Sequence, residues 1–280
     1  MSFHPQPLPA ELEEAIAARR HRLGAIARQI LYFETIGSTN DVAASLAAGG
    51  GHEGFVVVAD AQTAGRGRRG RVWFSPPTAG LYVSVVLAPA RARIAPDRAT
   101  ALLTLSAGVA LAEAVEQSTG LLPAIKWPND LLVGRRKLAG ILAEGVASAT
   151  SVGLQAVVLG YGINVMPAAF PPDLASIATS LETELGRGVD RAALCAESLA
   201  ALAARYEDLI EGRYDAILDA WRGRSFGSRG ATVEWETPAG VRTGTTEGID
   251  DMGALLVRTP EALERIVAGE VRWGLHAASD

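Results

Sequence analysis

The two lysines are the first residues in this chain whose type and placement suggest chemistry. All but two of the 26 basic residues are arginine, and the exceptions, Lys126 and Lys137, lie eleven positions apart in "KWPNDLLVGRRK". Lysine carries a compact ammonium on a flexible stem, whereas arginine presents a planar fork. Chance clustering is the alternative, but the pattern favours one site that requires an ammonium.

A second candidate is the segment "GRGRRGR" at residues 65–71, which places four arginines in a chain of formal net charge -5. Its glycines fit G-x-G-x-x-G, but a dinucleotide-binding turn needs a helix directly afterwards and an acidic residue about 20 positions on. Here "RVWFSPPTAG" follows and the next acid is Asp97. RNA-binding Arg/Gly tracts are typically repeated in disordered basic segments, and this is a single copy.

The remaining interpretation of residues 65–71 is a mobile loop that brings positive charge to a small anion. Glycine lets the backbone approach a ligand closely, and like-charged arginines repel one another until an anion arrives. We therefore expect the loop to be disordered before it closes. A merely solvated surface loop is the alternative, which the adjacent Trp73 and Phe74 argue against.

The lysine-containing segment predicts a β-hairpin that joins Asp130 to Lys137. A two-residue turn at Gly134 and Arg135, with glycine first, suits a type II′ turn. That turn predicts three cross-strand pairs: Val133 with Arg136, Leu132 with Lys137, and Asp130 with Ala139. Asp130 and Lys137 then share one face with Cβ atoms roughly 7 Å apart, and Gly140 falls on the other. A three-residue loop would reverse the face of Lys137.

These groups indicate carboxylate activation by a nucleotide. Cations screen a nucleoside triphosphate from a carboxylate, a lysine stabilises charge on the α-phosphate, and an aspartate steers or deprotonates an incoming amine. Mg²⁺ is the usual partner of such a nucleotide. The sequence therefore predicts acyl-adenylate chemistry.

The elements that position these residues follow from hydrophobic periodicity. A sheet of mostly antiparallel strands with helices, followed from Phe226 by a small β-barrel or half-barrel, is predicted. The helices are expected at 9–30, after Ser38 or Thr39, at 97–118 between Pro96 and Gly120, and from about 190 to 222. The strands are expected in "ILYFETI", "FVVVAD", "LYVSVVLAP", "AIKW", "DLLV", "KLAGILAEGVA" and "LQAVVLGYGINV".

Composition is that of a globular chain with a large buried core: 280 residues, 49% of them hydrophobic. The single cysteine, Cys195, lies in an apolar helical run, which favours a buried helix residue over a reactive thiol. The charged N-terminus does not read as a signal peptide, and no run reads as membrane-spanning. We therefore expect a cytoplasmic protein.

Taken together, the motifs resemble those of the biotin protein ligases. The matching segments occur in the family's order and spacing: "STN" at 38–40, "QTAGRGRRGRVWFSP" at 62–76, "KWPNDLLV" at 126–133, "KLAGILAE" at 137–144, "GYGINV" at 160–165 and the C-terminal "GID…GAL…GEV". The resemblance spans about residues 31–275. It implies an α+β fold with a mixed, largely antiparallel sheet and flanking helices, like that of class II aminoacyl-tRNA synthetases, and a C-terminal SH3-like β-barrel. The domains expected are an N-terminal helix at 1–30, a catalytic domain at 31–225 and the barrel at 226–280.

The resemblance also implies site residues. Lys137, Asp130 and Arg68 would be catalytic, with Asp130 as base for the acceptor lysine. Biotin would be held by Ser38, Thr39, Asn40, Gln62, Arg66, Gly67, Arg68, Lys137, Gly140 and Gly162. ATP and the adenylate would be bound by Arg68, Arg71, Trp73, Lys126, Asn129, Lys137 and Asn164, with Mg²⁺ carried by ATP rather than by a protein metal site.

The reaction implied is the activation of biotin by ATP to biotinyl-5′-AMP and transfer to a lysine of a biotin carboxyl carrier protein. Repressor-type members carry an N-terminal winged helix-turn-helix, and this sequence predicts one helix there, so we expect no DNA partner. No membrane partner is expected, and the chain is expected to be either a monomer or a homodimer. A lipoate or octanoate ligase or transferase of the same fold is the main alternative, and a nucleic-acid-binding protein a weaker one.

Overall fold

A seven-stranded mixed sheet carries the predicted lysine hairpin. The computed structural model describes residues 3–50, 52–147, 154–168 and 170–274. The strands are β1 Gln29–Ile36, β2 Phe55–Gln62, β3 Gly80–Leu87, β4 Ala124–Lys126, β5 Asp130–Val133, β6 Arg136–Ala147 and β7 Leu154–Asn164. Their order is β1-β2-β3-β7-β6-β5-β4, and only β1 and β2 among these neighbours pair in parallel. The strands and the antiparallel arrangement predicted for 124–165 are confirmed.

Helices cover both faces of this sheet. They are α1 Ala10–Arg19, α2 Thr39–Ala48, α3 Pro96–Thr119, α4 Pro172–Ala175, α5 Leu181–Leu185, α6 Arg191–Ile210 and α7 Tyr214–Arg224. The "VVV" run of β2 shows why the sheet is apolar on both sides: Val56 and Val58 belong to the large core with α3 and α6, whereas Val57 belongs to a second cluster with α2. Alternate strand residues point to opposite faces.

Helix α3 is the core helix of the protein. It begins at Pro96 and is closed by Gly120, as predicted; Gly120 is the C-cap residue and has a φ of 80°. Its length and composition alone would suit a membrane span, but 72% of its most apolar 18-residue stretch is buried inside the protein. Cys195 is likewise buried, on α6, and burial raises the pKa of its thiol to about 12. The prediction that Cys195 is a buried helix residue is confirmed.

The helix predicted over 9–30 is wrong in its second half. Helix α1 is followed by a single 3-10 turn at Arg20–Arg22, and the chain then turns through left-handed conformations at Gly24 and Ala27. Leu23 and Ile26 are nevertheless 3% and 2% exposed. Helical spacing of apolar residues misled because an irregular segment buries the same side chains.

A five-stranded antiparallel sheet follows α7, as the texture of the sequence predicts. Its strands are β8 Arg229–Thr237, β9 Gly240–Ile249, β10 Leu255–Arg258, β11 Leu263–Ile266 and β12 Val271–Trp273, in the order β11-β10-β9-β8-β12. Residues of both sheets share one apolar core, and the Trp127 indole N–H donates to the Gly253 carbonyl at 2.9 Å. The division at residue 225 stays a prediction, but the two sheets are not packed independently.

Candidate active site

The β5–β6 hairpin has the predicted turn and one unpredicted bulge. Gly134 has a φ of 58°, the sign that the first position of a type II′ turn requires. Val133 pairs with Arg136 and Leu132 with Lys137, which confirms the register next to the turn. A bulge between Leu131 and Leu132 then shifts the pairing, so that Asp130 lies opposite Gly140 and not opposite Ala139. The predicted partner of Asp130 was wrong by one residue because β6 carries one extra residue.

The bulge places Asp130, Lys137 and Gly140 on one face of the sheet. Lys137 Nζ lies 2.7 Å from Asp130 Oδ1. A Cβ atom built on Gly140 would lie 3.1 Å from Lys137 Cε, so the prediction that Gly140 faces away from the lysine is wrong. Without the bulge, residues 137 and 140 would point to opposite faces.

Trp73 lies over this face and fills the space left by two glycines. Gly140 and Gly162 are directly opposite each other on β6 and β7. A Cβ atom at Gly162 would lie 2.3 Å from Trp73 Nε1, and one at Gly140 would lie 3.0 Å from Trp73 Cζ3. Lys137 Nζ is 5.3 Å from the centroid of the Trp73 ring, within cation–π range. The glycines therefore form a floor on which the indole rests beside the ammonium.

Two further cations lie close to Asp130. Lys126 pairs with Asp130 across β4 and β5; burial lowers the pKa of Lys126, and the negative charge of Asp130 opposes that shift. Arg68 Nη1 donates to Asn129 Oδ1 at 3.1 Å, and burial lowers the pKa of Arg68. Desolvated cations that are preorganised in this way can stabilise an anionic ligand.

The Arg/Gly segment forms a defined set of backbone contacts, and its disorder without a ligand stays a prediction. The Trp73 amide donates to the Gly65 carbonyl at 2.9 Å, and the Gly67 amide to the Arg71 carbonyl at 2.7 Å. Residues 65–73 thus form a small hairpin closed by a 3-10 turn at Arg68–Gly70. Arg69 at its tip has a φ of 58°.

Protein carboxylates balance the charge of this hairpin. Arg66 Nη2 lies 2.8 Å from Asp41 Oδ1 and 2.9 Å from Glu144 Oε2. At the other side, Arg71 Nη2 lies 2.5 Å from Glu270 Oε1, directly before β12 of the C-terminal sheet. A hydrogen bond from Arg71 lowers the pKa of Glu270. Acids distant in sequence therefore offset the mutual repulsion of Arg66 and Arg71 in this conformation.

The "STN" motif lies at the start of α2, where Ser38 is the N-cap residue. Gln62 Oε1 accepts from the Thr39 amide at 2.9 Å and from Thr39 Oγ1 at 3.1 Å. Ser84, which is fully buried on β3, donates from Oγ to Asn40 Oδ1 at 2.6 Å. Sequence reasoning missed Ser84, although a lone hydroxyl in the apolar strand "LYVSVVL" was a signal for it.

Comparison with known proteins places these motifs in a family. The model of the Biotin/lipoate A/B protein ligase family matches residues 32–164, and that of the Biotin protein ligase C terminal domain matches residues 230–272. The bifunctional ligase/repressor BirA of Bacillus subtilis is 35% identical over 268 residues, covering 95% of this chain and 80% of that protein. This chain belongs to the biotin protein ligase family. The biotin–[acetyl-CoA-carboxylase] ligase of Paracoccus denitrificans is 36% identical over 250 residues, covering 85% of this chain and 97% of that protein.

Solved structures of biotin protein ligases share the fold. The Aquifex aeolicus enzyme in complex with biotin and ATP superposes with a TM-score of 0.71 at 27% identity, covering 88% of this chain and 99% of that chain. The Leishmania major enzyme in complex with biotinyl-5-AMP superposes with a TM-score of 0.61 at 26% identity, covering 89% and 99%. The predicted α+β architecture is thereby confirmed for this ligase.

The ligase has one segment beside Lys137 that the motifs did not indicate. The Lys137 amide donates to the Ile177 carbonyl at 2.7 Å, and the Thr179 amide donates to the Lys137 carbonyl at 2.9 Å. Asn164 Nδ2 donates to the Thr179 carbonyl at 2.9 Å, so this predicted adenylate residue also fixes the segment. The chain between α4 and α5 therefore holds the backbone of Lys137 in place.

The structure thus brings most of the predicted site residues together around one face of β5, β6 and β7. Lys137 is paired with Asp130 and lies beside the ring of Trp73. That ring in turn packs against Gly140 and Gly162. Arg68 and Asn129 border this group through their hydrogen bond. Ser38, Thr39, Asn40 and Gln62 form a separate polar cluster at the start of α2, joined to the hairpin through Arg66 and Glu144. Arg71 points away to Glu270, so its predicted contact with the adenylate would require that ion pair to rearrange.

Proposed function

We propose that this ligase converts biotin and ATP to biotinyl-5′-AMP and pyrophosphate, and then transfers the biotinyl group to a lysine of a biotin carboxyl carrier protein. The observation that carries the proposal is the Lys137–Asp130 pair at 2.7 Å beneath Trp73, flanked by Lys126 and Arg68. Relatives that share the chain's full architecture are named as biotin ligases, and one solved relative holds biotin with ATP.

In the first step a carboxylate oxygen of biotin forms a bond to the α-phosphorus, and the bond between the α- and β-phosphates breaks. Two anions must approach each other, so the cations matter most here. Lys137 and Arg68 neutralise the carboxylate and the α-phosphate, and Lys126 adds charge from a desolvated position. Because these groups are held before reaction, they stabilise the developing charge without reorganising.

Asp130 is the acid closest to Lys137 and is already paired with it. Mg²⁺ therefore fits best as part of the substrate MgATP, where phosphate oxygens supply its hard ligands. The metal would screen the phosphates, while the lysines and Arg68 orient the α-phosphate.

In the second step the amine of the acceptor lysine attacks the carbonyl carbon of the anhydride, and AMP leaves with the bonding electrons. The attacking nitrogen must lose a proton for a stable amide to form. A carboxylate has two oxygens, so Asp130 can accept that proton while Lys137 keeps its contact. Lys137 then compensates the charge on the departing phosphate.

Biotin is favoured over lipoate by two observations, although one matching family model spans both classes. The C-terminal sheet matches a model named for biotin protein ligases, and the relatives that cover most of this chain are named for biotin. A cytoplasmic location and a carrier-protein partner are parts of the same proposal. Both a monomer and a homodimer are compatible with it.

Biotin-dependent exchange of labelled pyrophosphate into ATP tests the first step directly. We expect exchange with biotin and none with lipoate, and transfer to a purified carrier domain that has its acceptor lysine. Exchange driven by lipoate alone would support the alternative substrate. Absence of exchange with either acid, together with no binding of biotin by titration calorimetry, would refute the proposed function.

A further inference from the structure

We propose that Glu144 is a positioning residue for biotin, because it fixes Asn40 and Arg66 in one arrangement. The inference rests on the proposed function, since it assigns both of those residues to the biotin end of the site. Glu144 lies on β6, four residues beyond Gly140, and alternation places it on the same face of the sheet. It therefore belongs to the strand that carries Lys137, but at the opposite end of the site.

One carboxylate oxygen joins two separate substrate-binding segments. Glu144 Oε2 accepts from Asn40 Nδ2 at 2.6 Å and from Arg66 Nη2 at 2.9 Å. Asn40 belongs to the "STN" motif on α2 and Arg66 to the Arg/Gly hairpin, which are 26 positions apart in the chain. Hydrogen bonds to an ionised acceptor are shorter and stronger than neutral ones. Glu144 thus couples the two segments more firmly than a neutral side chain would.

The orientation of Asn40 depends on this contact. Its Oδ1 accepts from Ser84 Oγ at 2.6 Å, so Nδ2 is directed away from Ser84 and toward Glu144. A Cβ atom on Gly160 would lie only 2.0 Å from Asn40 Oδ1, so the amide lies directly against the β7 backbone. An amide this closely enclosed has one favourable orientation, and Glu144 supplies half of the hydrogen bonding that selects it.

The contact of Arg66 is sensitive to charge for a different reason. Its guanidinium lies between Asp41, whose side chain is 58% exposed, and Glu144, whose side chain is 36% exposed. The more solvated carboxylate holds a cation less firmly because water screens it. When substitution removes the charge of Glu144, Arg66 keeps only the more solvated Asp41, and the hairpin is held less firmly at the biotin end.

The nucleotide end of the hairpin is anchored independently, through Arg68 to Asn129 and through Arg71 to Glu270. Loss of the Glu144 contact should therefore weaken biotin more than ATP. That asymmetry separates positioning of biotin from a general loss of structure, which would affect both substrates.

The test is pyrophosphate exchange by Glu144→Gln with biotin and ATP varied separately. The substitution keeps side-chain volume and removes the charge, and we expect KM for biotin to rise about tenfold with KM for ATP changed less than twofold, given the usual strength of charged hydrogen bonds. Dissociation of the bound adenylate should accelerate by a similar factor. Unchanged KM for biotin and unchanged adenylate dissociation, or equal increases for both substrates, would overturn the proposal.

A matched control is Glu247→Gln, which removes another partly exposed glutamate that receives two hydrogen bonds from one arginine, Arg258, on the C-terminal sheet. We expect it to leave KM for biotin within twofold of wild type. If Glu144→Gln fails to fold, Glu144→Asp keeps the charge with shorter reach and should raise KM for biotin by a smaller factor.

A double-mutant cycle tests whether Glu144 acts through Arg66. In an Arg66→Gln background, Glu144→Gln should add much less than tenfold, because coupled residues are not additive. Full additivity would contradict the mechanism. Failure of the wild-type chain to catalyse any biotin-dependent exchange would instead count against the proposed function.

Discussion

Replacing Lys137 by arginine tests whether the site requires an ammonium or only a positive charge. Its Nζ is 2.7 Å from Asp130 and lies 3.2 Å from the position that a Cβ would take on Gly140, so the larger guanidinium does not fit without displacing neighbours. We expect Lys137→Arg to fold normally and to lose adenylate formation about a hundredfold or more, the usual cost of removing a preorganised donor. Biotin-dependent pyrophosphate exchange measures it.

Arg135→Lys serves as the control for that change, because Arg135 is exposed in the turn of the same hairpin. It should retain wild-type exchange. Near-normal exchange by Lys137→Arg would show that charge alone suffices at this position and would remove the assigned role.

The indole of Trp73 approaches the backbone of Gly162 so closely that no side chain fits at this position. A Cβ there would lie 2.3 Å from Trp73 Nε1, so Gly162→Ala must push the indole off the sheet. We expect a loss of about 1–3 kcal/mol in the free energy of unfolding, as for overpacked cores, together with slower adenylate formation. Urea denaturation and pyrophosphate exchange measure the two effects.

The matched control is Gly223→Ala on α7, where no described atom outside the helix itself lies within 4 Å of the added Cβ. Because alanine is the better helix former, this change should be neutral or stabilise by up to about 1 kcal/mol. If Gly162→Ala were equally harmless, the indole would not be confined as we describe.

At the residue level, the sequence predicted the candidate site residues better than the residues that hydrogen-bond to them and hold them in place. Lys137 and Asp130 were found together because a hairpin brings neighbours in sequence into contact. Glu144, Ser84 and Glu270 were not assigned roles, because each acts on a partner 44 to 199 positions away in the chain. Spacing within a motif carries no information about such partners.

At the element level, the largest errors occurred where local pattern and tertiary packing disagree. The β6 bulge changed the face of Gly140, although the turn itself was predicted correctly. Residues 23–28 follow a helical spacing and are not helical. In both places the apolar pattern reports burial correctly but cannot distinguish a regular element from an irregular one that buries the same residues.

Helix α1 is held to α6 through one buried acid. Glu197 is 4% exposed, and its oxygens lie 2.8 Å from Arg19 Nε and 2.7 Å from Arg22 Nη2. Burial raises the pKa of Glu197, but the hydrogen bonds from Arg22 and Arg19 lower it by more. The pKa of Glu197 therefore lies below the ordinary value of 4.5. We expect Glu197→Gln to destabilise the protein by about 1–2 kcal/mol near neutral pH, because the paired arginines are partly solvated.

The sign of the pH dependence follows from the lowered pKa. The stabilisation is fully present above the unfolded-state pKa near 4.5 and is lost as pH falls through the lower folded-state pKa. Urea denaturation of wild type and Glu197→Gln between pH 3 and pH 7 should therefore show a difference that shrinks below about pH 4.5. A difference that grew on acidification would contradict this account.

At the scale of the whole molecule, the two sheets behave as one packing unit. Trp127, which precedes the β5–β6 hairpin, is 3% exposed and donates to Gly253 in the connection between β9 and β10 of the second sheet. Glu270, directly before β12 of the same sheet, holds the Arg/Gly hairpin. The C-terminal sheet therefore contributes both to the core and to the conformation of the site, which explains how an acidic chain accommodates a dense cluster of arginines.

The distribution of lysine over the whole chain leads to a last prediction, about self-labelling. An acyl-adenylate that escapes the site acylates primary amines, whereas a guanidinium stays protonated and is a poor nucleophile. The chain has two lysines: Lys137 is paired with Asp130, and Lys126 is partly buried.

Arg68→Gly removes the hydrogen bond to Asn129 and should release adenylate. Incubated with biotin, MgATP and a lysine-rich bystander protein, this variant should label the bystander extensively. Intact-mass spectrometry should then show at most three biotinyl groups on the ligase itself, one for each lysine and one for an α-amino group. Adding Arg93→Lys, at a side chain that is 75% exposed, should create one further labelled position. More additions than there are amines, or an unlabelled bystander, would show that the adenylate does not escape and react as this chemistry requires.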